Sequence, residues 1–194
     1  MITTEQIKEL RNITGVSVMV CKKALEEAGG DIDKAKIILT KISANAASKK
    51  SDRTLGSGTI ASYIHAGGTV GAMVEVQCET DFVARNEDFQ KFARDVAMQV
   101  AATVPAYIVE TEINETEKTK ATEVFKSEIL DKPAEMQEKI LEGKLASYFK
   151  EKVLMNQEYI KDPSKKISDI VQEATQKFGE KVEIVKMVRF GVLE

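Results

Sequence analysis

Val70-Gly71-Ala72-Met73-Val74-Glu75-Val76-Gln77-Cys78 decides the fold of this 194-residue chain. Val70, Ala72, Val74, Val76 and Cys78 alternate with Gly71, Met73, Glu75 and Gln77, which is the period of a strand buried on one face. Before it, Thr59 to Ala66 predicts a second strand, joined to the first through Gly67-Gly68. A two-residue turn puts Ile60 and Ile64 opposite Glu75 and Gly71. A three-residue turn that includes Thr69 puts them opposite Val76 and Ala72. A slip of one residue exchanges the faces, and the hydrophobic match favours the longer turn. At the far end, Val182 to Leu193 is β-branched and apolar, and it predicts the third strand.

Outward from this sheet the period becomes helical. Residues 3–42 predict three short helices. Thr3 and Gln6 form a T-x-x-Q capping box, Ile7, Leu10 and Ile13 follow at helical spacing, and Gly15 ends the first helix. Ser17 caps the second, whose Cys21, Ala24, Leu25 and Ala28 share one face up to Gly29-Gly30. Asp31 caps the third, with Ala35, Ile38, Leu39 and Ile42 inward. Residues 43–58 lose this periodicity. The Ala-rich part suits a continued helix, and Gly56-Ser57-Gly58 suits a hinge. The expected division is a three-helix module at 1–45, a linker at 46–58 and a core at 59–194. In the core, Thr80–Arg85 is a loop. A helix from Glu87 to Thr103, capped by Asn86 or Asp88, turns Phe89, Phe92, Val96 and Val100 inward. Pro105 stops it, and Tyr107-Ile108-Val109 is a candidate short strand. Residues 110–152 predict an acidic insertion of two charged helices, parted near Asp131-Lys132-Pro133. A loop surrounds Asp162-Pro163, and a helix runs from Ile167 to Phe178. The fold class is α+β: a small antiparallel sheet covered by helices, preceded by the three-helix module.

Composition excludes much. Hydrophobic residues are 43% and charged residues 30%, the balance of a soluble globular chain. The net charge of −3, with no Trp, disfavours direct nucleic-acid binding. The small basic group Lys49, Lys50 and Arg53 suits a solvated linker. Met1 to Gln6 is polar and lacks the form of a secretory signal, and no apolar run reaches the ~20 residues that span a bilayer. A cytoplasmic protein with reduced thiols is expected, with no membrane partner. His65, Cys21 and Cys78 are the whole stock of His and Cys, so no metal site and no cofactor are expected. A Cys78–His65 dyad needs contact within about 3 Å, yet either hairpin register parts the two by roughly 25 Å along the strand. No P-loop, calcium loop or zinc motif occurs. The chain reads as a binding protein, not an enzyme.

One segment remains, Glu79-Thr80-Asp81-Phe82-Val83-Ala84-Arg85-Asn86, between a strand and a helix. A Phe at the crest of a surface turn is costly unless a partner receives it or it folds back onto the core. Thr80-Asp81-Phe82-Val83-Ala84 after Glu75-Val76-Gln77-Cys78-Glu79 closely resembles the signature of the bacterial elongation factor Ts family. Leu10-Arg11-x-x-Thr14-Gly15 followed by Cys21-Lys22-Lys23-Ala24-Leu25 agrees, as does Lys186-Met187-Val188-Arg189-Phe190 more loosely. The resemblance runs through nearly the whole chain and matches the short family members. Val18, Val20 and Gln77 depart from the family's usual residues.

The resemblance implies a guanine-nucleotide exchange factor for elongation factor Tu in translation. It implies that the N-terminal module is similar to a ubiquitin-associated domain and grips a helix of the partner, with Arg11, Val18 and Met19 as contacts. It implies that Asp81 and Phe82, with Thr80 and Val83, wedge against the partner near its magnesium and phosphate site and dislocate the metal. Some short members are similar in forming a homodimer through the core. The alternative is a passive adaptor whose helical module binds a partner's helix without promoting exchange.

Overall fold

A computed structural model describes residues 2–130 and 133–193, apart from the side chains of Ala134 and Glu135. Helices α1 (Thr4–Thr14), α2 (Val18–Glu27) and α3 (Ile32–Ser48) come first, then strands β1 (Ser57–Ile64) and β2 (Val70–Cys78). The one-turn helix α4 (Asp81–Ala84) and α5 (Glu87–Thr103) follow. Next come α6 (Glu115–Glu128), α7 (Ala134–Lys152), β3 (Glu158–Tyr159), β4 (Asp162–Lys166), α8 (Ile167–Phe178) and β5 (Glu183–Gly191). The antiparallel three-stranded sheet has the order β1-β2-β5, so the alternating stretch is its centre. The α+β expectation holds.

The chain folds as two compact units, one of residues 1–61, 74–95 and 168–185, the other of residues 62–73, 96–167 and 186–194. In the first, the Thr3–Gln6 capping box is formed. Gly15 ends α1 in the left-handed region at φ 67°, its N–H donating to Arg11 O. Asp31 caps α3 by accepting from the N–H groups of Asp33 and Lys34. Ser17 occupies the cap position of α2 without a side-chain bond. Leu10, Val16, Cys21, Ala24, Leu25, Ala35 and Leu39 form the bundle core. The Lys177 stem lies over Gly15, where a Cβ would meet its Cδ and Cε at 3.1 Å. Its ammonium pairs with Asp88 at 2.8 Å and holds that carboxyl below its usual range. The rings of Phe89 and Phe178 meet edge to face at 5.5 Å.

The hairpin takes the other register. The His65 N–H donates to Val70 O at 2.8 Å, and the Gly68 N–H closes a turn onto His65 O at 2.9 Å, with Gly67 and Gly68 both at positive φ. Ile64 therefore falls opposite Gly71, and the expected pairing of Ile60 and Ile64 with Val76 and Ala72 is corrected. Ile60 and Ile64 face outward, 67% and 69% exposed, while Ala72, Val74, Val76 and Cys78 bury the inner face of β2. Turn geometry and the central strand's buried row outweigh the two isoleucines.

Gly56 and Gly58 are places of close approach. The Gly56 N–H donates to Cys78 O, and a Cβ on Gly58 would come within 2.6 Å of Val76 O and 3.0 Å of Gln77 Cα. Those are backbone atoms of the central strand and cannot give way cheaply. Gly58→Ala is expected to destabilise the fold by about 1–3 kcal/mol, the range for overpacking, as read by a lower urea midpoint at unchanged slope.

In the second unit, Asp162-Pro163 is strand, not loop. β3 and β4 pair antiparallel with Glu158 opposite Lys166 and Tyr159 opposite Asp162, around an irregularity. A two-stranded ribbon has only edges, where proline is tolerated. Tyr107-Ile108-Val109 is not a strand either, since Tyr107 alone makes an isolated parallel bridge to Val153. Helices α6 and α7 occupy the expected acidic insertion, and the parting at Asp131-Lys132 lies outside the described residues. The rings of Phe125 and Tyr148 meet at 5.5 Å across the two helices. The buried Gln99 side chain donates to Gln157 Oε1 and Glu158 O and accepts the Ile160 N–H.

Candidate functional site

The stretch expected as the loop Thr80–Arg85 contains α4. Thr80 is its N-cap, in extended conformation, and its hydroxyl oxygen accepts the Val83 N–H at 3.4 Å. A threonine before Asp81 suits this start, because its side chain occupies a donor that four residues of helix cannot satisfy internally. Asn86 then caps α5, its Oδ1 accepting the Asp88 N–H at 2.9 Å. Two caps six residues apart make the chain turn twice within one segment.

That double turn decides which way each side chain points. Val83 and Ala84 are buried. Phe82, on the opposite side of the single turn, is 81% exposed. It does not fold back onto the core. Asp81 pairs with Arg85 at 3.2 Å across one helical turn, both side chains well exposed. Such a solvated pair contributes little to stability. Thr80, Asp81, Phe82 and Val83 thus share one turn, with Thr80 and Val83 as its footing and Asp81 and Phe82 on its outer side.

The footing is tied by two carboxylates. Glu180, between α8 and β5, accepts the N–H groups of Glu79 and Thr80 at 3.0 Å each on Oε2 and the Thr80 hydroxyl at 2.6 Å on Oε1. Glu79 reciprocates, its Oε1 accepting the Lys181 N–H at 2.6 Å. The Arg53 guanidinium reaches both Glu79 oxygens, at 3.1 and 3.2 Å. The Lys181 N–H first, and then Arg53 against the opposing cost of burial, hold the Glu79 carboxyl below its usual range. Beneath the turn, the Cys78 thiol donates to Thr80 O at 3.2 Å, and burial pushes its pKa up. It is therefore kept as a thiol and not activated as a nucleophile. Arg53 stood out in the sequence only as part of the basic group read as a solvated linker, whereas in the fold it pairs with Glu79 and Lys50 donates to Thr175 O. Glu180 carried no signal along the sequence, and both Glu180 and Arg53 meet the turn only through the fold.

The N-terminal positions lie elsewhere in the same unit. Arg11 is exposed on the last turn of α1. Val18 and Met19 open α2 and are 47% and 77% exposed. Met19 is out because the apolar face of α2 is spent on Cys21, Ala24 and Leu25, and its own position falls on the far side of the helix. Among the described residues no group of three or more His, Cys, Asp or Glu is placed to hold a metal ion, and no helix is long and apolar enough to cross a membrane.

Comparison with known proteins agrees across the chain. Residues 25–194 match the family described as elongation factor TS. The elongation factor Ts of Thermodesulfovibrio yellowstonii is 47% identical over 192 residues, covering 98% of this chain and 96% of that protein. That of Herpetosiphon aurantiacus is 46% identical over 193 residues, 98% of each. That of Carboxydothermus hydrogenoformans is 44% identical over 196 residues, covering 100% of this chain and 90% of that protein.

Proposed function

The chain belongs to the elongation factor Ts family, a family of translation elongation factors, and from that premise we propose that it is the guanine-nucleotide exchange factor of elongation factor Tu. The observation that carries the reading is Phe82, a large apolar side chain held out into solvent on a capped and cross-tied turn. A partner that receives the ring would bury apolar surface that the free chain leaves in water. In this reading the helical module of residues 1–45, similar to a ubiquitin-associated domain, grips a helix of the partner through Arg11, Val18 and Met19. Residues 46–58 link it to the exchange core, 59–194. The turn of Thr80, Asp81, Phe82 and Val83 enters near the partner's magnesium and phosphate site. GDP is held there by phosphate-cradling amides and by a magnesium bridge, and displacing the elements around the metal loosens both. No covalent bond is made or broken, so the factor is an exchange factor and needs no cofactor of its own.

Elongation factor Tu, GDP-bound and nucleotide-free, is the proposed partner, and the cytoplasm the proposed compartment, without nucleic acid or membrane. Val188 and Phe190 of β5 are exposed, which supports a homodimer through the core.

Linkage supplies the test. If the factor weakens GDP, GDP must weaken the factor by the same ratio. Titrating GDP into the complex is expected to release the factor from elongation factor Tu, read as a mass decrease in solution. A passive adaptor would stay bound at every GDP concentration, and that result overturns the exchange reading.

A further inference from the structure

We propose that Glu180 is the positioning residue of the Asp81-Phe82 turn: its carboxylate fixes the two peptide groups from which α4 springs and so sets where Phe82 stands. Only the activity arm of its test rests on the exchange reading above.

Phe82 has almost no packing within its own chain. Its place in space must therefore come from the backbone that carries it, and α4 is a single turn, too short to hold its own direction. Glu180 holds that backbone from outside. One carboxylate oxygen straddles two successive N–H groups, those of Glu79 and Thr80, and the other takes the Thr80 hydroxyl. Because the same hydroxyl accepts the Val83 N–H, the hold passes from the carboxylate through Thr80 into the helical turn itself. Three bonds to one ionised group fix direction as well as distance, and bonds to an ionised acceptor are the stronger kind. The Glu79–Lys181 bond ties the same two connections in the opposite sense, with Arg53 steadying Glu79. Glu180 is thus anchored by the residue next to it, and neither connection can swing without breaking the other's bonds.

The test uses the full chain as Glu180→Met, which keeps the side chain's length and approximate volume but removes both accepting oxygens, so that neither amide N–H nor the Thr80 hydroxyl keeps its partner. Hydrogen exchange of the Glu79 and Thr80 amides is expected to quicken by about tenfold or more, because a lost acceptor opens the site locally. With elongation factor Tu carrying a fluorescent GDP analogue, the maximal release rate is expected to fall about 3–10-fold while the half-saturating concentration of factor moves less than about twofold. In a Phe82→Ala background the same change is expected to slow release no further, since no aromatic ring is left to misplace. Glu180→Asp, which keeps the charge but withdraws the oxygens by one methylene, is expected to give the same split. Wild-type protection of both amides in Glu180→Met overturns the proposal. Equal slowing by Glu180→Met with and without Phe82 overturns it as well. If Phe82→Ala alone releases GDP at the wild-type rate, the wedge reading falls, and amide protection alone then decides the role of Glu180.

Discussion

Phe82→Ala is expected to lower the maximal rate of GDP release from elongation factor Tu by about 10–100-fold, equivalent to about 1.4–2.8 kcal/mol of barrier. In the free protein the ring makes little contact with the rest of the chain. At 81% exposure it buries little, so removing it should change stability within the ±0.5 kcal/mol or so expected of a surface site. Neighbouring Val83 and Ala84 carry the buried side of the turn, and the Thr80 cap and Glu180 bonds do not involve the ring. In the proposed wedge reading, what is lost is the displacement of the partner's metal-side elements, a contact made as nucleotide leaves. Stopped-flow release of a fluorescent GDP analogue at saturating factor reads the rate, and thermal unfolding of the variant checks the fold. Release as fast as that of the unaltered chain would remove Phe82 from the mechanism.

Met19→Glu should act on the other half of the reaction. Met19 is 77% exposed on the first turn of α2, and a carboxylate there leaves the bundle core of Leu10, Cys21 and Leu25 untouched. A glutamate near a helix N-terminus is electrostatically favourable, so the free protein loses no stability. If Met19 seats in an apolar surface of the partner, burying a charge there is costly. The half-saturating concentration of factor is expected to rise about 10–100-fold, equivalent to about 1.4–2.8 kcal/mol, with the maximal release rate preserved. An unchanged half-saturating concentration would take α2 out of the interface. The two variants should separate on one titration curve, Met19→Glu along the concentration axis and Phe82→Ala along the rate axis.

How much of this was legible in the sequence depended on how local each determinant was. The alternation at Val70–Cys78 announced the central strand, because a row buried on one face repeats every second residue. The capping box at Thr3–Gln6 and the Asp31 cap were also local, and both are formed. Register was harder to read. β1 has isoleucines on one face and Thr59, Ala61 and Tyr63 on the other, so hydrophobicity pointed to the wrong face, and the conformation of Gly67-Gly68 decided. The short ribbon at Glu158–Lys166 carries too few apolar residues to show a period. Around the candidate site, Thr80-Asp81-Phe82-Val83 was conspicuous as a segment, yet its exposure was open between two outcomes, and a four-residue helix has no periodicity to announce it. Glu180 could not be seen at all. A side chain bonded to backbone N–H groups a hundred positions away is a property of the closed fold, and one sequence records no trace of that pairing.

The seating of Lys177 has a further consequence. Its methylenes roof Gly15 at the end of α1, and its ammonium holds Asp88 in the first turn of α5, directly after the segment that carries Phe82. Arg11, Met19 and Phe82 therefore ride on one compact unit. If these are the contact points proposed above, they would act on a partner as a bivalent ligand whose spacer is a single compact unit. Once the first contact is made, the second meets its target at an effective concentration set by that fixed spacing, not by the bulk solution. A loosened spacer would dilute the second contact without altering either surface. Under the proposed function, such a chain would combine two contacts into one hold, and would lose that hold when a returning nucleotide displaced either of them.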